Sequence, residues 1–295
     1  MGKPTQILLQ TTIPFTEDDW HIGRFSLLTE HLRSIKNADG GFLYDVIARN
    51  RETDENGNDP VLSTLDKSDF DQLWLFALDL GDGLTADDCA GVTRFRQRGG
   101  GIWSARDHND LGSSLCTLGG IGSAHYFHSK QPDPNDTRNQ RDDDKTLNID
   151  WPNYHSGANG DFQHIEAADH PLMKRDDGSL IVYFPAHPHE GGIGSPDGSA
   201  SVVATGTSKT TGRDFNLVVA FENSIDEHGN NCGRAIAESS FHHLVDYNWN
   251  IESGCPPFLE EPPGDEYKRI SERLDDVKQY VANVASWLSV SVPPA

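Results

Sequence analysis

The sequence is short of cysteine, of basic residues and of long apolar runs, and each shortage argues against a class of protein. Its four cysteines, Cys89, Cys116, Cys232 and Cys255, are spread through 295 residues with no CxxC pair. That spacing argues against a disulfide framework and against a cysteine zinc site. Lys and Arg total 24 against 46 Asp and Glu, giving a formal net charge of −22. Such a balance repels phosphate backbones and anionic membranes, so neither nucleic acid nor a membrane is an expected partner. No stretch approaches the roughly 20 apolar residues that a bilayer span needs. The apolar run at the start is too short for a signal peptide, and the cytoplasm is the expected location. Motifs are scarce as well. Gly119-Gly120-Ile121-Gly122 contains neither GxGxxG nor a Walker lysine, so no nucleotide cofactor is expected.

What is present supports a folded α/β chain. Hydrophobic residues make up 35% of the sequence, and 28 glycines with 16 prolines supply turns and irregular loops. Residues 7–10 read as a buried strand. Thr16, followed by Glu17, Asp18 and Asp19, reads as the cap of a helix whose apolar stripe is Phe25, Leu28, Leu32 and Ile35. Residues 42–48 and 70–78 read as the next strands. Thr85 with Asp88 three residues on predicts a capped helix running toward Arg98. Gly99-Gly100-Gly101 then leads into a strand at 102–105. This alternation predicts a three-layer sandwich with a mostly parallel central sheet.

Residues 112–178 break the pattern. They are rich in Asp, Asn, Gly, Pro and His, and their aromatic content favours an ordered lid over a linker. Strands resume at 180–184, 201–204, 216–221 and 235–237. Residues 265–288 carry Ile270, Leu274, Val277, Val281 and Val284 at helical spacing. The organisation is therefore read as one domain over 1–260, with the insert 112–178, and a C-terminal helical extension over 261–295. There are no internal repeats.

In open parallel sheets, ligands bind beyond the carboxyl ends of the strands. Three polar clusters fall at such ends: Arg106-Asp107-His108, His187-Pro188-His189-Glu190, and Phe241-His242-His243. Asp107 and His108 suit acid–base catalysis, with the carboxylate orienting the imidazole; a turn-stabilising Arg106–Asp107 ion pair is the plainer reading. His189 and Glu190 are further candidates for catalysis. His187, His189, Glu190, His242 and His243 offer the nitrogens and carboxylates that a divalent metal such as zinc takes, although no HExxH spacing is present. Hydrogen bonds within a tight loop would use the same residues. Arg106, Trp151, Tyr154, His155, Tyr247 and Trp249 are candidates for holding a small-molecule substrate, the aromatic rings suiting sugar faces; core packing is the competing reading for those rings and for Trp103. Cys116 reads as a small buried hydrophobe, and Ser104 lacks the GxSxG frame of a nucleophile elbow.

Three segments resemble a known family. Phe70-Asp71-Gln72-Leu73-Trp74-Leu75, the helix after Thr85, and Arg98-Gly99-Gly100-Gly101-Ile102-Trp103 are similar to the core of the ThuA-like (trehalose utilization) proteins, within the class I glutamine amidotransferase-like superfamily. Gly233-Arg234-Ala235-Ile236-Ala237 before Phe241-His242-His243 resembles that family's closing strand and its histidine. The resemblance covers residues 5–110 and 180–250 and implies a flavodoxin-like sheet. Amidotransferases carry a cysteine at the elbow, with a His and a Glu. Here the elbow reads Trp103-Ser104-Ala105-Arg106-Asp107-His108, and His187-Pro188-His189-Glu190 has one residue more than their His-Pro-Glu element. Glutamine hydrolysis is thus not expected. The expected function is hydrolase- or lyase-type chemistry on a carbohydrate or other polyhydroxylated small molecule; a non-catalytic binding module that kept the fold is the alternative. A homo-oligomer is left open.

Overall fold

Residues 7–9 (Ile-Leu-Leu) have no solvent exposure, which a strand achieves only when both of its faces are covered. In the computed structural model, which describes residues 3–17, 20–196, 198–256 and 260–289, they form the middle of β1 (Thr5–Thr11). Around it lie β2 (Tyr44–Arg49), β3 (Gln72–Phe76), β4 (Gly101–Ala105), β5 (Glu166–Ala167), β6 (Ala200–Thr207), β7 (Asp214–Phe221) and β8 (Ala235–Glu238). The eight strands form one sheet in the order β2-β1-β3-β4-β8-β7-β6-β5. The run from β2 to β8 is parallel throughout; with its five strands counted in chain order, β8 being the fifth, the succession is the flavodoxin-like 2-1-3-4-5. From β8 onward neighbouring strands are antiparallel.

Alternation along the strands feeds two cores. Ile7, Leu9, Trp74 and Trp103 face α1 (Ser26–Ser34) and the last described helix, α3 (Leu274–Leu288), whose Leu28, Leu32, Val277 and Val281 share their cluster. Leu8, Leu73, Leu75 and Ile102 face α2 (Ala86–Gln97) through Val92 and Phe95. The result is three layers. The cap of α2 forms as the spacing requires: Thr85 Oγ1 accepts from the Asp88 amide, and Asp88 accepts from the Thr85 amide, both at 3.2 Å. The last helix is pinned by Gln72, whose amide donates to the Ala285 carbonyl at 2.6 Å. Among the described residues, no helix is long and apolar enough to cross a membrane.

Two sequence expectations are corrected. The first helix does not start at Thr16; a 3-10 turn begins at Ile22, capped by His21, whose Nδ1 accepts from the Gly23 amide. Asp18 and Asp19 lie outside the described residues. The expected strand at 180–184 is Tyr183–Pro185, which pairs with Phe162–His164 in a separate two-stranded sheet. It is apolar because it packs under α3, not because it lies in the main sheet. The insert is tied down: β5 joins the sheet edge, and Arg213 holds Asp142 with Nη2 2.5 Å from the carboxylate.

One polar network is folded into this body. His243, fully buried, sets Nε2 3.0 Å from Glu190 and Nδ1 3.7 Å from Glu238. Glu190 also accepts from Ser156, Gln163 and Ser239. Burial works against a charged imidazole, but the two carboxylates outweigh it and raise the His243 pKa to about 10.

Two stability measurements test this account. Gly91 sits where a Cβ would lie 2.2 Å from the Leu62 carbonyl oxygen. Alanine would gain about 1 kcal/mol of helix propensity, yet the backbone it meets cannot yield as a side chain can. Gly91→Ala is therefore expected to lose about 1–2 kcal/mol net, read as a lower denaturation midpoint. The proton on His243 contributes stability that is complete below its unfolded pKa of 6.5 and declines as pH rises toward about 10. Stability measured from pH 6 to 10 should fall for the native chain. His243→Gln should be less stable by roughly 3–5 kcal/mol at neutral pH and should lack that His243-dependent part of the slope.

Candidate functional site

Two strand ends are stitched together at the carboxyl rim of the sheet. The chain leaves β4 at Ala105 and turns back at once, with Leu111 donating its amide to the His108 carbonyl. Asn109 occupies the left-handed region at φ 46°, where Asn is among the tolerated residues. Arg106, wholly buried against the Phe127 ring at 4.2 Å, donates to the Asn109 carbonyl and braces this turn. Next to it, β8 ends at Glu238, and Ser240 caps the turn Phe241–Leu244 by accepting from the His242 amide. The same Ser240 hydroxyl donates to Asp107 Oδ1 at 2.7 Å.

The segment carrying His187 and His189 is threaded against both ends. Its Gly191 amide donates to the Ser239 carbonyl at 3.0 Å. A Cβ at Gly191 would lie 2.3 Å from the Asp107 carbonyl oxygen and 2.6 Å from that of Ser239. Only glycine lets the backbones approach this closely.

These contacts gather five of the residues singled out by sequence. Asp107 Oδ2 lies 3.4 Å from His187 Nε2, 3.4 Å from His242 Nδ1 and 3.6 Å from His108 Nε2. The rings of His187 and His242 are stacked at 3.8 Å, and His189 meets His108 edge-on at 5.0 Å. Asp107, His187, His189 and His242 are buried; the His108 side chain keeps 19% exposure and is the group through which the cluster meets solvent. Burial pushes the His187 pKa well below its usual value and that of His108 down to about 3, so both imidazoles are neutral.

Residues that the sequence reading did not select orient these rings. Asn248 is fixed by backbone, accepting from the Gly160 amide and donating to the His242 carbonyl. It also turns its amide hydrogens to Asn159 Oδ1 at 3.3 Å, and that oxygen faces His187 Nδ1 at 2.9 Å. His187 Nδ1 therefore carries the proton. His189 Nδ1 donates to Asp143 at 2.9 Å. Burial opposes the charge on Asp143, but the bonds from His189 and the Lys145 and Thr146 amides hold its carboxyl below the usual range. Asn159 and Asp143 come from the insert, and no spacing in the sequence marks them.

The other candidates lie apart. Glu190 and His243 pair with each other inside the core. Tyr154, Tyr247, Trp249 and Trp103 are buried, so the aromatic wall is core packing: Tyr154 stacks on Phe215 at 4.7 Å, and Trp249 donates to the His243 carbonyl. His155 is buried and paired with Glu261 at 2.6 Å. Trp151 is half-buried beside His128. Ser104 is buried against His125, and Cys89 contacts Thr117. Burial raises the pKa of the Cys89 and Cys116 thiols, the opposite of what an activated nucleophile needs.

No family model and no curated protein matches the sequence. Solved structures similar to the chain include a ThuA-like protein of Bacteroides uniformis, at 13% identity and a TM-score of 0.47, covering 98% of this chain and 93% of that one. A ThuA-like protein of Parabacteroides merdae follows at 17% identity and 0.41, covering 89% and 96%. The glutaminase domain of Trypanosoma brucei CTPS, solved with acivicin bound, stands at 15% identity and 0.46, covering 98% of each chain. These likenesses add nothing to the chemistry, which rests on the chain's own residues.

Proposed function

We propose that the chain is an enzyme performing hydrolase- or lyase-type chemistry on a carbohydrate or other polyhydroxylated small molecule, and that it does not hydrolyse glutamine. The observation that carries this reading is the convergence of Asp107, His108, His187, His189 and His242 on one rim of the sheet. In this reading His108 moves the proton, because it is the most exposed of the five and lies beside the Asp107 carboxylate. His189, held by Asp143, faces it as the second acid–base group.

What the rim offers supports the substrate class. Its imidazoles present ring nitrogens suited to hydroxyls. Arg138 and Arg175 of the insert and Arg213 of the neighbouring hairpin are already engaged, by Asp133, Asp276 and Asp142 respectively. Hydroxyl groups suit such a surface better than phosphates. The lack of a cysteine in the turn directly after β4, with the Cys89 and Cys116 thiols held protonated by burial, argues against glutaminase chemistry.

The purified chain should convert at least one member of a panel of glycosides, oligosaccharides and sugar lactones, followed by mass spectrometry, and release no glutamate from glutamine. His108→Ala should lower kcat/KM by about 100-fold or more, and His189→Ala should lower it as well. A sugar that raises the melting temperature without product in any assay would replace the enzyme reading with that of a binding module. Turnover undiminished in both variants would place the chemistry elsewhere.

A further inference from the structure

Asp107 Oδ2 and His187 Nε2 are buried, lie 3.4 Å apart, and neither has a hydrogen-bond partner among the described residues. Leaving both unpaired costs free energy. A direct bond between them would remove that cost, but the geometry is not that of one. Charge-assisted bonds close to about 2.7–2.9 Å, and His187 already commits the proton of Nδ1 to Asn159. Its Nε2 lone pair is therefore aimed at a carboxylate oxygen, an arrangement that is repulsive unless a cation lies between.

We propose that Asp107 Oδ2, His187 Nε2 and His242 Nδ1 bind one divalent first-row transition-metal ion, of the zinc or iron(II) class. All three atoms lie within 4.8 Å of one another, on buried residues. Ligand atoms about 2.0–2.1 Å from a tetrahedral ion stand roughly 3.4 Å apart, the separation of Asp107 Oδ2 from each imidazole nitrogen. Two imidazoles and one carboxylate are the donor set of open zinc and iron(II) centres, leaving positions for water or substrate. Calcium and magnesium prefer all-oxygen shells. The surroundings match as well. Metal-binding histidines hold the second ring nitrogen in a hydrogen bond that fixes the tautomer, which Asn159 does for His187. Ser240 holds the other carboxylate oxygen of Asp107; its Oγ also lies 3.3 Å from His242 Nδ1, a contact the ion displaces as it takes that nitrogen's proton and splays the stacked His187 and His242 rings. Glu190 and His243 are outside the set because they neutralise each other. Asn159 is a positioning residue here, acting only through His187.

The inference adds a cofactor to the centre proposed above and rests on that reading of the rim, but metal content is measured independently of turnover. The native chain, stripped with chelator and dialysed against zinc, cobalt(II) or anaerobic iron(II), should retain about one ion per chain by inductively coupled plasma mass spectrometry. Its melting temperature should rise with metal concentration, and cobalt should give visible d–d absorption. Asp107→Asn and His187→Gln should each lose the ion, whereas Lys145→Ala, away from the donor set, should keep it. Asn159→Leu should weaken affinity by about 10- to 100-fold, with Asn159→Asp restoring most of it. Should the substituted chains fail to fold, the native titration alone decides. Absence of stoichiometric binding and of any thermal shift with all three ions overturns the assignment, as does undiminished binding in folded Asp107→Asn and His187→Gln. Turnover persisting in fully metal-free protein overturns the ion's part in the reaction while sparing the enzyme reading, and the site itself then stands or falls with the binding measurement. Tight metal binding without turnover on any sugar upholds the site and removes the hydrolytic one.

Discussion

The half-satisfied carboxylate of Asp107 is the constraint around which the rim is arranged. A buried charge costs several kcal/mol unless its surroundings compensate it, and here one oxygen is compensated by Ser240 while the other faces imidazole nitrogens. Meeting that demand requires three chain segments to converge within hydrogen-bonding distance. The turn after β4 supplies the carboxylate, the cap after β8 supplies Ser240 and His242, and the segment through Gly191 brings His187 between them. The absence of a side chain at Gly191 is what makes this convergence sterically feasible.

Adjacent histidines in this chain do opposite things. His243 is an imidazolium locked between Glu190 and Glu238, where it holds β8 to the core. His242, one residue earlier, faces Asp107 at the rim. The two rings leave the same 3-10 turn in different directions, and the groups each one meets, not the residue type, set what it does. The same contrast separates His189 from Glu190. Each neighbouring pair therefore divides into one member facing the rim and one bracing the body beneath it, and a change to either would be felt by the other through the shared backbone.

Much of the fold was legible because the signals were local. The apolar run at β1, the Thr85–Asp88 cap and the triple glycine before β4 are short-range features whose physics does not depend on the rest of the chain. The polar clusters after β4 and β8 were legible for the same reason, since strand ends in parallel sheets point to one rim. What local pattern could not resolve was direction. Whether Glu190 turns toward the rim or the core depends on Ser156, Gln163 and Ser239, which are distant in sequence. Tyr154, Tyr247 and Trp249 looked equally fit for a sugar or for packing, and only burial separates the two. The helix expected from Thr16 failed because an acidic stretch after a threonine suits a loop as well as a cap.

Asn159 and Asp143 show why the insert resists reading by pattern and yet matters to the site. Orienting an imidazole needs an acceptor at a particular point in space, and a regular helix or strand offers side chains only at fixed intervals. An irregular segment held at several places can put an amide oxygen against His187 and a carboxylate against His189 without either periodicity. The cost of ordering such a loop is large; burial of its Leu115, Phe127, Tyr154, Phe162 and Leu172 offsets it, with Arg213–Asp142 and the β5 edge pairing adding to that. The insert thus acts as scaffolding for the tautomers of two histidines that follow it in the chain. The scarcity of long regular elements around Asp143 and Asn159 suits that task, because the positions they must reach do not lie on any repeating lattice.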